Sequence, residues 1–151
     1  MELLKRQERW DITYNHALGA TASWFYVQIR DHAKIFGRRD PGTGRVLVPP
    51  RAFSDQSLAA TTDWVEVGPH GVIECFTIVY RGFKGLPPPP YAFGYVKLDG
   101  ADTAIGGMFY GVNLDDHAVA SEKFRIGTRV ITRFKEKRTG EVLDFYFEPL
   151  N

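Results

Sequence analysis

The side chains of this chain that could do covalent or acid–base chemistry are few: one cysteine, four histidines and some closely spaced carboxylates. Cys75 stands in a run of strand-forming residues, 72–80, where a thiol reads as strand core and not as a nucleophile, and no Cys-His-Asn set surrounds it. A single thiol excludes an intramolecular disulfide, which fits a reducing compartment. His32 and His70 are isolated along the sequence and read as surface or hydrogen-bonded residues. Asp99 with Asp102, and Asp115 with Asp116, are spaced for general acid–base work or for a hard cation, but both pairs are flanked by turn residues and read as loop chemistry. Gly-x-Ser-x-Gly, a phosphate loop and His-Glu-x-x-His are all missing. The isolated chain is therefore not expected to be an enzyme.

Other residues are suited to binding. Trp24, Phe25 and Tyr26 crowd three aromatics onto one helical turn, more than a single core-facing stripe needs, so part of this cluster is expected to meet another chain. Phe83 and Lys84 fall at a loop tip, where apolar contact and a phosphate-facing cation could combine. Tyr91, Phe93 and Phe109 lie in strand-like runs and could serve as core or as contact surface, as could Tyr110.

The elements that must position these residues are mostly strands. A helix is expected from Ser23, as N-cap, to His32, with Phe25 one turn before Ile29 and Gly37 just beyond its end. Residues 40–51 read as turn, two-residue strand and stiff Pro49-Pro50-Arg51 segment. Strand signals then recur at 72–80, 91–98, 105–110, 128–134 and 142–147, with 138–141 as the turn of the last hairpin and prolines 87–90 as a stiff connector. Five short strands suit a partly open Greek-key barrel, the OB-fold; a sandwich edge or another small barrel would also fit this pattern. With 151 residues, 44% of them hydrophobic, one good core is affordable. Nineteen basic residues against 18 acidic ones give no net field to favour nucleic acid or an anionic membrane. No apolar run reaches the ~18 residues of a membrane span, and a cytoplasmic location is expected.

Residues 39–57 sharpen this picture. Gly44, Arg45, Pro49, Pro50 and Arg51 match, without a gap, the zinc ribbon of the family catalogued as domain of unknown function 35, in which Cys-x-x-Cys-Gly-Arg, a short strand, Pro-Pro-Arg and a second Cys-x-x-Cys follow in order. The resemblance continues through 71–79, through 95–103 with its Leu-Asp-Gly-Ala-Asp-Thr, and through 126–130 and 147–149. Asp40, Thr43, Ser54 and Ser57 occupy the four cysteine places. Hydroxyls are poor zinc donors, so zinc is expected to be absent, with Asp40 closing an Asx-turn and the Ser54 and Ser57 hydroxyls bonding local backbone.

The resemblance implies a mainly β chain in three parts: a helical N-terminal segment (1–36), a degenerate rubredoxin-like zinc ribbon (37–63) and a five-stranded OB-fold barrel (64–151). It further implies a non-catalytic small subunit that docks on a thiolase-like catalytic subunit in a hetero-oligomer and helps shape a channel for acyl-CoA. No tightly bound cofactor is expected, the coenzyme A thioester being a shared substrate. The competing expectation is an OB-fold that binds single-stranded nucleic acid through the basic residues Lys123, Arg125, Arg129, Arg133, Lys135, Lys137 and Arg138, ranked second because the total charge is balanced.

Overall fold

The computed structural model describes residues 3–82 and 84–150. An arm without secondary structure leads into helix α1 (Gly19–His32), followed by strands β1 (Ile35–Arg39), β2 (Val46–Leu47) and β3 (Trp64–Val67), which form a three-stranded antiparallel sheet in the order β2-β1-β3. Strands β4 (His70–Val79), β5 (Tyr91–Leu98), β6 (Ile105–Phe109), β7 (Arg129–Phe134) and β8 (Phe145–Pro149) close into a barrel, β4-β5-β6-β8-β7. The parallel pairing of β6 with β8 completes a five-stranded Greek-key barrel of OB type, as the strand count implied, though closed where a partly open one was expected. Helix α2 (His117–Lys123) lies between β6 and β7. The small sheet spans 35–67, a little wider than the 37–63 expected for the ribbon.

One core serves both sheets. Phe25 and Ile29, one turn apart on α1, pack with Ile35, Val46, Val48 and Val67 of the small sheet and with Ile73, Val96, Ile105, Phe145 and Phe147 of the barrel. Strand β5 alternates cleanly: Ala92, Val96 and Leu98 are buried, while Phe93, Tyr95 and Lys97 face out. Phe124, just after α2, plugs the barrel against Phe76 and Phe109, with ring centroids 5.9 and 5.3 Å away.

Four local expectations are corrected. Helix α1 starts at Gly19, not after Ser23; no side chain caps it, and packing of its buried stripe carries the helix through the Thr21-Ala22-Ser23 turn. Gly37 does not end a helix but sits in β1, where an added Cβ would lie 2.6 Å from Val46 Cγ1 and 2.8 Å from Val48 Cγ2. Cys75 is exposed: a bulge between Ile73 and Cys75 inserts Glu74 and turns Phe76 and Ile78 inward in its place. Residues Val142–Asp144 form a 3₁₀ turn before β8, because buried Asp144 accepts hydrogen bonds from the backbone N–H groups of Thr139, Gly140 and Glu141 (2.9, 2.6 and 2.9 Å) and tightens the chain around itself. Helix α2 was absent from the sequence expectation; Asp116 caps it, accepting from the N–H groups of Ala118 and Val119.

Candidate functional site

Two places in the fold gather the residues singled out above. At the first, the turn 40–44 meets the turn 54–57, and the four former cysteine positions converge on one carboxylate. Asp40 Oδ2 accepts from Thr43 Oγ1 and Ser54 Oγ, and Oδ1 accepts from Ser57 Oγ, each at 2.6 Å. The Gly42 N–H adds a fourth donor to Oδ1 at 2.9 Å, which is the Asx-turn expected there. The Ser54 hydroxyl in turn accepts from the N–H groups of Gln56 and Ser57 (3.1 and 3.2 Å), and that of Ser57 accepts from Ala59 (3.3 Å), the local backbone bonding expected of both serines. Their convergence as donors on Asp40 was not foreseen. Asp40 is completely buried, and Ser54 nearly so. The Ser54, Ser57 and Thr43 hydroxyls, with the Gly42 N–H, outweigh the effect of burial and hold the Asp40 carboxyl far below the usual carboxylate range. Gly42 is required by the closeness of the two turns, since a Cβ there would sit 2.7 Å from Ser57 Cβ.

These residues do not fit a structural zinc. The hydroxyl protons are committed to the carboxylate, and neutral hydroxyls are weak donors to Zn²⁺, leaving a single oxygen anion where a ribbon supplies four thiolates. Among the described residues no group of three or more His, Cys, Asp or Glu is placed to hold a metal.

The second place is an apolar groove of about 340 Å³ on the outside of the barrel, between α1, the β5–β6 face and the 3₁₀ turn. Its walls include Tyr26, Phe93, Tyr95, Met108, Val142 and Leu143; Phe93, Tyr95, Val142 and Leu143 are about half exposed. Phe93 pairs across the strands with Met108, and Tyr95 with Gly106, whose missing side chain leaves room beside the Tyr95 ring, 3.4 Å from where a Cβ would be. Polar atoms are scarce here, and the site offers shape and apolar surface, the properties that hold a flexible aliphatic arm, and no acid, base or nucleophile.

Of the aromatic residues named from sequence, the groove unites Phe25, Tyr26 and Phe93. Phe25 forms its floor and is otherwise core. Trp24 is used inside the chain: it stacks on Trp64 at 3.8 Å and meets Phe36 edge-on at 5.2 Å. Phe109 is buried, and Tyr91 borders a separate hollow with Tyr110 and Leu114. Lys84 is exposed in the loop after β4, outside the groove, and Phe83 lies outside the described residues. Tyr95, Met108, Val142 and Leu143 were missed, although Tyr95 shares the outward parity of Phe93.

The charged residues have structural work. Asp102 Oδ2 accepts from the Val46 N–H at 2.8 Å, and Thr103 Oγ1 both accepts from Val48 N–H and donates to Val48 C=O (2.7 and 2.8 Å), stitching β2 and its extension to the barrel. Asp99 forms a two-point pair with Arg129 (2.8 and 2.6 Å) that lowers its pKa. The Leu-Asp-Gly-Ala-Asp-Thr run is thus the joint between the small sheet and the barrel, not an acid–base pair. Of the basic run, Arg133 pairs with Glu148, Arg125 donates to the Ser121 carbonyl, and Arg138 donates to the carbonyls of Arg30 and Lys135. No helix among the described residues is long and apolar enough to cross a membrane.

Comparison with known proteins agrees with this architecture. Residues 64–135 match the family described as ChsH2, C-terminal OB-fold domain. Among solved structures, a chain of the Ltp2-ChsH2(DUF35) aldolase shares the fold with a TM-score of 0.66 at 16% identity, over 89% of this chain and 98% of that one. A DUF35-family protein of unknown function from Sulfolobus solfataricus does so with a TM-score of 0.65 at 14% identity, over 87% of each chain. No curated protein matches in sequence. The barrel match and the shared two-sheet fold agree with the ribbon and stitch motifs: residues 64–135 match an OB-fold domain of the ChsH2 type, and the chain shares its fold with structures of the domain-of-unknown-function-35 family.

Proposed function

We propose that this chain is a non-catalytic accessory subunit of a thiolase-like enzyme, docking on the catalytic chain and contributing one wall of its acyl-CoA channel. The observation that carries this reading is the groove: an open apolar trough beside Phe93, Tyr95 and Tyr26, with no reactive group in its lining. A pantetheine or acyl arm needs such a sheath, and the reacting carbonyl then needs a partner that brings the chemistry. The related ChsH2(DUF35) chain occurs in an aldolase with Ltp2, which supports an enzyme partner. Zinc has no part in this role here, because the Asp40 cluster holds the two turns together by hydrogen bonds. The nucleic-acid reading loses its footing, since Arg129, Arg133 and Arg138 of the basic run are engaged within the chain.

Co-expression with a thiolase-like chain from the same genome tests the proposal. A complex that survives gel filtration and turns over an acyl-CoA faster than the catalytic chain alone is the expected result. Recovery of only the free chain, retained on single-stranded oligonucleotide in a salt-sensitive way, would refute it.

A further inference from the structure

The arm that precedes α1 carries an apolar pattern that its own chain leaves uncovered. Residues 3–18 are exposed throughout and belong to no helix or strand. Within them Trp10, Ile12 and Tyr14 are 80%, 65% and 74% exposed, and they alternate with the polar Asp11, Thr13 and Asn15. In an extended chain a spacing of two places all three apolar side chains on one side. Isolated exposed hydrophobics are ordinary; three large ones in strict alternation on an arm with no core of its own are the pattern of a segment that lies on another surface.

The place where the arm leaves the domain says which surface. Leu18, its last residue, borders a hollow with Tyr26, Val142 and Leu143, and these three residues also wall the apolar groove. Arm and groove are therefore continuous, and a body that covers the groove meets the root of the arm. Sixteen extended residues reach roughly 55 Å, farther than a domain of this size is wide, so the arm can embrace a larger partner. Burial of Trp10 and Tyr14 alone would cover about 150–250 Å² each, a large share of the ~800 Å² per side of a stable interface. A partner that supplies the other wall of the groove, as the proposed function requires, meets the root of the arm at Leu18.

We infer that residues 3–18 form a docking arm that lays Trp10, Ile12 and Tyr14 into apolar pockets of the catalytic subunit, continuing the interface made at the groove. The inference rests on the accessory-subunit reading above. Its test uses the parity of the pattern. Trp10→Ala/Ile12→Ala/Tyr14→Ala and Asp11→Ala/Thr13→Ala/Asn15→Ala are made in the full chain, and binding to the thiolase-like chain is measured by calorimetry. The apolar triple is expected to weaken binding at least tenfold, the polar triple less than threefold, and neither should move the thermal midpoint of the free chain, because the arm takes no part in the core. Equal affinities for both triples and the parent chain would overturn the arm's role while leaving the subunit reading intact. Absence of any complex with the parent chain would overturn both, and a homodimer that the apolar triple dissociates would reassign the arm to self-association.

Discussion

Replacing Ser54 by alanine tests whether the Asp40 cluster holds the small sheet together. The substitution removes one hydroxyl, buried to within 3% of full coverage, and three hydrogen bonds at once: the 2.6 Å donation to Asp40 Oδ2 and the acceptances from the Gln56 and Ser57 N–H groups. A hydrogen bond to a charged acceptor contributes about 1.5–3 kcal/mol, and two backbone donors left without their acceptor add a fraction of their desolvation cost. Water reaches part of this turn, because Gln56 and Asp55 are exposed, so the lower half of the range applies to the orphaned donors. The expected loss is about 2–4 kcal/mol, which in a domain of this size lowers the thermal midpoint by roughly 5–12 °C. Urea unfolding followed by tryptophan fluorescence reads the change directly, since Trp64 stands at the end of this sheet. Ser57→Ala, which breaks the bond to Oδ1 and a weak acceptance from Ala59, should cost less. A Ser54→Ala protein within 0.5 kcal/mol of the parent, at unchanged denaturant slope, would refute the claim that these hydroxyls replace a metal as the ribbon's fastening.

The remaining expectations follow from the same geometry. Elemental analysis should find far less than one zinc per chain, and chelator should leave unfolding unchanged; in the fourfold variant Asp40→Cys, Thr43→Cys, Ser54→Cys, Ser57→Cys, the convergence of these positions should produce one cobalt(II) site with thiolate charge-transfer absorption. Stability should fall in acid. The folded-state pKa of Asp40 is lowered, so its contribution is complete above the unfolded carboxyl value near 4 and drains away as pH drops below that; Asp99 and Asp144 are lowered too and act in the same direction. An Asp40→Asn chain, measured by urea unfolding from pH 7 to pH 3, should be less stable at pH 7 and lose less on acidification, and a parallel decline would count against this account. Thr132→Val should raise stability by about 1 kcal/mol, because Thr132 Oγ1 is buried with no hydrogen-bond partner among the described residues.

Much of the barrel was legible because alternation survives in β5 and β7: Ala92, Val96 and Leu98, and Val130 and Thr132, point inward as their parity requires. Where a backbone device breaks parity, reading fails. Cys75 reads as core because it stands in a strand-forming run, and a bulge that inserts Glu74 turns it outward. Residues 142–147 alternate like a strand, yet the three N–H groups gathered by Asp144 coil the first half. Gly37 carries two meanings in sequence, helix stop or close approach, and only the Val46 and Val48 methyls above it decide. The four turn positions at the ribbon were locatable from the family motif, but that Asp40 would gather the three hydroxyls depends on how the two turns face one another. Half the groove was likewise out of reach, since Met108, Val142 and Leu143 join Phe93 only once the barrel closes and α1 packs against it.

The Asp40 cluster and the groove are physically linked. The cluster fixes the two turns that flank β2; β2 and its extension are tied to the barrel by Asp102 and Thr103 through Val46 and Val48; and Pro49, next in the chain, lines the groove. A ribbon that came loose would take Val46 and Val48 from the core and Pro49 from the groove wall. Loss of the metal ligands without a substitute would therefore be felt at the surface proposed to meet the acyl group. A carboxylate ringed by hydroxyls restores the fastening by neutral-to-charged hydrogen bonds, independent of zinc supply and of thiol oxidation, at the cost of acid sensitivity. In this chain the ribbon helps to shape the groove through Pro49, and what that requires is a rigid junction between two turns, whichever chemistry supplies it.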